Sequence, residues 1–430
     1  MIHTVKPGDT IYKIAAEYGT TPSKIISDND LKDPARLVVG EDLVILIPSV
    51  TYTVEEGDTL EDIARNYGTT KEVLFQRNPI LMGKDAIYPG QTLVISYTPS
   101  PALGEISMNG YAYPFIDESV LRRTLPYLTY LSVFTYGIRR DGTLVAPEGE
   151  EKLIRIAKEY RVVPLMMLTS LTESGNFSNE LAETIIRTPA LREKVISEAY
   201  NTMVQKGYGG IDVDFEFISA SLADDYVSFL NELNSRMGDE YILFASLAPK
   251  SEKNMPGLIY EGHDYENIGA ASDAVLLMTY EWGYTYGPPM AVSPIDKVRD
   301  VVEFGVSQIP SEKIYMGMPN YGYNWPLPFV SGRTAATPLS NVQAVSLALE
   351  KNAEIRFDET AMSPFFTYFD ETGNGAVEHE VWFQNGRSAE AMFRLAAEFD
   401  LRGVAVWNIM KYFPALWLVL ISLYNIRKEL

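Results

Sequence analysis

From about residue 105 onward, short apolar runs rich in β-forming residues alternate with helical patterns, and eight such runs can be marked. They fall at 106–111, 130–135, 162–168, 210–217, 242–247, 274–280, 314–318 and 403–407. Strands alternating with helices in this way build parallel crossovers, in which helices cover the sheet. Eight units predict an α/β fold, a closed (β/α)8 TIM barrel. The long gap between the seventh and eighth runs holds β-rich stretches at 365–369 and 381–383 around Glu371-Thr372-Gly373-Asn374-Gly375. That pattern predicts a small α+β insertion carrying a hairpin, at about 326–385.

The fourth run carries three carboxylates at every second position: Gly209-Gly210-Ile211-Asp212-Val213-Asp214-Phe215-Glu216. On a strand, Asp212, Asp214 and Glu216 share one face while Ile211, Val213 and Phe215 take the other. Alternate residues lie roughly 6.6 Å apart, so each acid feels its neighbour and at least one should stay protonated near neutral pH. A general acid needs that property. A solvated edge strand would show the same alternation. Helical patterns ending at Gly207 and resuming over about 222–237 place the run inside a β-α-β repeat instead, where three idle buried acids would be costly.

Barrel enzymes work at the C-terminal ends of their strands. The side chains there are Tyr111 on the first strand, Glu216 on the fourth, Tyr280 with Glu281 and Trp282 on the sixth, Asn320 with Tyr321 on the seventh, and Trp407 on the eighth. Aromatic rings suit the apolar faces of pyranose sugars, leaving hydroxyls for polar neighbours.

Before residue 98 the chain repeats itself. Residues 4–29 align with 53–78 without a gap, sharing Thr-Val, Gly-Asp-Thr, Ile-Ala, Tyr-Gly-Thr-Thr and a closing Asn. Each copy, about 48 residues long, predicts a helix capped by Thr10 or Thr59 and stopped by Gly19 or Gly68. Flanking β-rich stretches make the module β-α-α-β. The implied organisation is a first module at 1–48, a second at 50–97, a stiff linker over 98–104 containing Thr98-Pro99-Ser100-Pro101, and the barrel over 105–430.

A formal charge of -21 disfavours nucleic acid and anionic membranes as partners and favours a neutral or weakly charged ligand. With no cysteine, disulfides and thiol chemistry are excluded; with three scattered histidines, His3, His263 and His379, neither a metal site nor a Ser-His-Asp triad is expected. No cofactor is expected. Met1 runs into Ile-His-Thr-Val-Lys-Pro-Gly without a secretory signal. The apolar stretch 413–426 is shorter than the roughly 20 residues of a membrane helix and reads as a packed terminal helix. A monomer is expected.

The acidic run resembles the active-site strand of family 18 glycoside hydrolases, D-G-x-D-x-D-x-E. Gly210, Asp212, Asp214 and Glu216 match, while Gly209 replaces the first Asp and Phe215 stands where Trp or Tyr is common. Met278-Thr279-Tyr280-Glu281 is similar to the family's M-x-Y-D, and Trp407 to the Trp beneath the reacting sugar. The resemblance implies a retaining, substrate-assisted reaction in which the 2-acetamido oxygen attacks the anomeric carbon. It implies Glu216 as acid and base, Asp214 and Tyr280 as holders of the acetamido group, Asp212 as a tuner, and the remaining rim residues as substrate contacts.

The repeats resemble LysM domains, with Gly8-Asp9-Thr10 and Gly57-Asp58-Thr59 in the loop before the first helix and closes at Gly40-Glu41-Asp42-Leu43 and Gly90-Gln91-Thr92-Leu93. That likeness implies binding of N-acetylglucosamine-containing glycans, in peptidoglycan or chitin, through those loops. Two such modules before a family 18 barrel resemble the spore cortical-fragment lytic N-acetylglucosaminidases of bacilli. This implies placement on the spore, or else in the cell wall, and action during germination. Chitinase activity and a non-hydrolytic glycan-binding coat protein are the alternatives, and retention of Asp214 and Glu216 favours an enzyme.

Overall fold

A computed structural model describes residues 1–99, 101–171, 178–372 and 375–430. Eight parallel strands close on themselves: β1 (Glu105–Ala112), β2 (Tyr130–Ile138), β3 (Val163–Thr169), β4 (Gly210–Asp214), β5 (Ile242–Leu247), β6 (Ala274–Leu277), β7 (Ile314–Pro319) and β8 (Gly403–Trp407). Each pairs with the next, and β8 returns to β1 through Gly403↔Ser107 to Val406↔Gly110. Side-chain parity divides the core in two. One set, including Tyr111, Tyr130, Leu165, Met167, Phe244, Leu276, Tyr315 and Ala405, fills the barrel interior. The other, including Ile211, Val213 and Phe215, packs outward against the helices.

Two strands are shorter than the apolar runs. β4 stops at Asp214 and β6 at Leu277, so Glu216 and Tyr280 stand beyond the ladder. The chain leaves both ends through positive φ, +57° at Phe217 and +68° at Glu281. Alternation nevertheless carries on past Asp214: Phe215 stacks outward on Phe229 and Tyr226, while Glu216 stays on the side of the acids.

Between β7 and β8 lies a five-stranded antiparallel sheet starting at Gly322, with a helix over Asn341–Glu350. Its long hairpin pairs Ser363–Thr372 with Gly375–Trp382; the turn residues Gly373 and Asn374 lie outside the described residues. The terminal helix Pro414–Leu423 is buried from Pro414 to Ile421. No described helix is long and apolar enough to cross a membrane.

Both N-terminal modules are β-α-α-β. Thr10 and Thr59 accept from the backbone N–H three residues on, and Gly19 takes the left-handed conformation. The repeated asparagines explain why the module closes: Asn29 bonds to the backbone of Ile25 and Val44, and Asn78 to that of Leu74 and Val94. Each thus pins the second helix to the closing strand.

The modules do not hang on a linker, of which Ser100 lies outside the described residues. The second shares one apolar core with the outer barrel layer, where Phe75 meets Tyr160 and Tyr127 donates to the Gln76 carbonyl. The first keeps a small core of its own, adds Val44 and Leu46 to the barrel's outer layer and Val38 to the core of the insertion, and makes polar contacts besides. Arg123 bridges to Asp30, the Ile355 N–H donates to Val39 O at 2.9 Å, and that of Arg387 to Asp42 at 3.1 Å.

Candidate active site

Asp212 and Asp214 point into the barrel from β4, both buried, and Glu216 lies half-buried above them at the rim. Asp212 accepts from the Ser132 hydroxyl at 2.7 Å, and Ser132 in turn accepts from Asn109 Nδ2 at 3.0 Å. Burial pushes Asp212 up to about 6, and the Ser132 bond opposes that rise. Burial, then the charges of Glu216 and Asp212, push Asp214 well above the carboxylate range. Burial raises Glu216 to about 7. Three acids in a dry barrel cannot all ionise, so the set holds protons at neutral pH.

Tyr280 joins this group: burial and the charges of Asp214, Glu216 and Asp212 hold its hydroxyl protonated. Its ring lies against Gly317 on β7, where a Cβ would sit 2.7 Å from Tyr280 Cε1. Thr279 beside it donates to the Gly317 carbonyl at 2.7 Å, fastening the end of β6 to β7. Tyr111 is fully buried, and burial first, then the charge of Asp212, raise its hydroxyl well above its usual value, with hydrogen bonding to Asp212 adding to the rise. Its ring meets Trp407 at 5.5 Å, which connects the indole to the acids. Glu281 accepts from Tyr321 and, at 3.1 Å, from Tyr323, and Tyr321 feels Tyr280, so this pair borders the same group.

Two expected rim residues are directed elsewhere. Asn320 is buried, and its amide donates to the carbonyls of Asn408 and Lys411 at 3.0 and 2.9 Å and accepts from Asn341. It ties the loop after β8 to the insertion and has no donor left for a sugar. Trp282 is half-buried against the outer apolar layer, away from the interior cluster that holds Tyr111 and Trp407.

In the N-terminal modules, Gly8 and Gly57 take positive φ in open space. Asp9 and Asp58 accept the N–H groups of Lys6 and Glu55 inside their own turns, and also meet His3 and Tyr52. Thr10 and Thr59 cap helices. The two triplets therefore shape the loops, with their side-chain oxygens largely engaged there.

The structure adds residues that the motif reading passed over. Ser132 and Asn109 form the polar support beneath Asp212. Phe134 and Tyr113 pack on Trp407, at 5.3 and 6.3 Å, and exposed Phe115 continues from Tyr113 at 5.2 Å. Inward parity on β1 and β2 was the available signal: Asn109, Tyr111 and Tyr113 alternate, as do Tyr130, Ser132 and Phe134. Among the described residues no group of three or more His, Asp or Glu is arranged to hold a metal ion.

The chain is similar to known proteins over its whole length. The cortical fragment-lytic enzyme of Bacillus anthracis is 38% identical over 434 residues, covering 100% of this chain and 99% of the relative. That of Bacillus subtilis (strain 168) is 38% identical over 435 residues, with the same coverage. The crystal structure of the Bacillus cereus spore cortex-lytic enzyme SleL superposes with a TM-score of 0.83 at 37% identity, covering 100% of this chain and 98% of that one. Residues 3–46 and 52–96 match the LysM domain, a glycan-binding module. Residues 110–411 match glycosyl hydrolases family 18, and the chain belongs to that family as a glycoside hydrolase.

Proposed function

We propose that this enzyme hydrolyses N-acetylglucosaminyl bonds in peptidoglycan fragments of the spore cortex during germination, by a retaining, substrate-assisted mechanism. The observation that carries the chemistry is Glu216, half-buried at the rim with its pKa near 7, above an acid that burial and its neighbours keep from ionising freely. Glu216 protonates the leaving oxygen and later takes a proton from water. Asp214 receives the acetamido N–H and balances the oxazolinium charge. The Tyr280 hydroxyl, held protonated, donates to the acetamido carbonyl and aligns it for attack. Asp212, supported by Ser132, tunes Asp214. Trp407 supports the sugar ring, with Tyr111 behind it and Glu281 and Tyr321 at the edge.

The substrate class rests on full-length similarity to cortical fragment-lytic enzymes together with the two LysM modules, and the same similarity supports placement on the spore. We take the working form to be a monomer. The test is digestion of purified cortex fragments, with the new reducing end identified by mass spectrometry. N-acetylglucosamine at that end is the expected result. Muramic acid there, or no cleavage alongside turnover of chitin oligosaccharides, would overturn the substrate assignment. Binding without turnover would point to a glycan-binding coat protein.

A further inference from the structure

The ladder between β4 and β5 ends at Val213↔Ala245, leaving the backbone that carries Glu216 without strand partners. A buried imidazole fills the gap. His263 Nδ1 accepts from the Ala248 N–H at 2.8 Å, just past β5, and its Nε2–H donates to the Phe215 carbonyl at 3.2 Å, one residue before Glu216. The same segment grips the far side of the acid. Gly262 lies so close to Ile218 that a Cβ would fall 2.3 Å from the Ile218 carbonyl oxygen, so the turn Phe215–Ile218 is clasped at both ends by two consecutive residues. Lys250 and Tyr265 anchor the clasp: Lys250 Nζ donates to His263 O at 3.1 Å, and the Tyr265 hydroxyl donates to Ala248 O at 2.6 Å. Tyr226 stacks on the ring, 6.3 Å away.

We propose that His263 is a positioning residue for Glu216, a neutral imidazole that replaces the missing rung between β4 and β5 and fixes the peptide preceding the acid. The bridge needs one donor and one acceptor on the same ring, which only the neutral form supplies. The groups around the ring favour that form. It is fully buried, and Lys250 is the cation beside it; burial lowers His263 to about 4 against the opposing pull of the Phe215 carbonyl, with the Lys250 charge adding to the fall. Glu216 is faced by Asp214 and Tyr280, so loosening its turn toward solvent would hydrate the carboxyl and lower its pKa.

The proposal rests on the role of Glu216 given above, and the test separates the two. His263→Leu fills the ring's space without either bond, whereas His263→Gln keeps one donor and one acceptor. On an N-acetylglucosamine oligosaccharide, His263→Leu should lower kcat on the order of 100-fold, as small misplacements of a catalytic group do. KM should change little, and the alkaline limb should move to lower pH. His263→Gln should recover most of kcat and the wild-type limb. Equal kcat and pH profiles in wild type and His263→Leu, or in the two variants, would overturn the proposal. If Glu216→Gln itself stays active, the failure belongs to the reading of Glu216. Should His263→Leu not fold, 15N-histidine spectra of the wild-type chain decide, since it has only three histidines. A ring neutral from pH 5 to 8 with its proton on Nε2 is expected. A ring titrating near pH 6.5, or protonated on Nδ1, refutes the bridge.

Discussion

Glu216→Gln should abolish turnover and stabilise the fold at alkaline pH, two effects with one physical origin. Burial raises the Glu216 carboxyl from 4.5 to about 7. The native state thus holds this proton more tightly than the unfolded chain. The associated stability is fully present below pH 4.5 and is lost as pH rises through 7. At 1.36 kcal/mol per pH unit, the ionised side chain costs the native state about 3 kcal/mol above pH 8. An isosteric amide cannot ionise, so it escapes that cost. Urea unfolding of wild type and variant at pH 4.5 and 8.5 measures the difference, and relief of Asp214 from the Glu216 charge acts in the same direction. The variant should match wild type at pH 4.5 within about 1 kcal/mol and exceed it by about 3 kcal/mol at pH 8.5. Loss of the acid should lower kcat by about 10³-fold on a fluorogenic N-acetylglucosaminide. A variant no more stable at pH 8.5, or one that turns over at near wild-type rate, would refute the placement of Glu216 as a dry, proton-holding acid.

Further tests address the neighbouring groups. Because the acid must be protonated, kcat/KM should fall as pH rises through about 7, and a profile flat to pH 9 would contradict the pKa. Asp214→Asn should cut kcat by about 10²-fold or more with glycan affinity, measured by calorimetry, largely kept. Asn320→Ala removes three hydrogen bonds, one buried and two partly buried, and should lower stability in urea by about 2–4 kcal/mol, while a glycan's affinity changes less than threefold or so. Deleting residues 1–97 should lower the melting temperature and soluble yield of the barrel, since it uncovers the surface around Tyr127 and Tyr160.

Periodicity made much of this molecule legible. The eight strands, the alternation of Asp212, Asp214 and Glu216 with outward apolar residues, and the duplicated β-α-α-β modules all follow from local rules of spacing and capping. Those rules apply wherever the chain is placed. Rim residues were less legible because spacing says which strand end a side chain occupies but not where its atoms find partners. Asn320 and Tyr321 are adjacent in the chain, yet one is locked into the loop after β8 and the other faces Glu281.

Sequence alone thus determined the closed barrel, the acidic strand and the repeated modules, since each is written in a short-range pattern of 2, 3.6 or 49 residues. Only the tertiary structure decided that Ser132 supports Asp212 from 80 residues away and that His263 bridges two strand ends across 48 residues. It likewise decided that the second module shares its core with the barrel. Such contacts depend on which surfaces meet when the chain closes on itself, and no local periodicity records that.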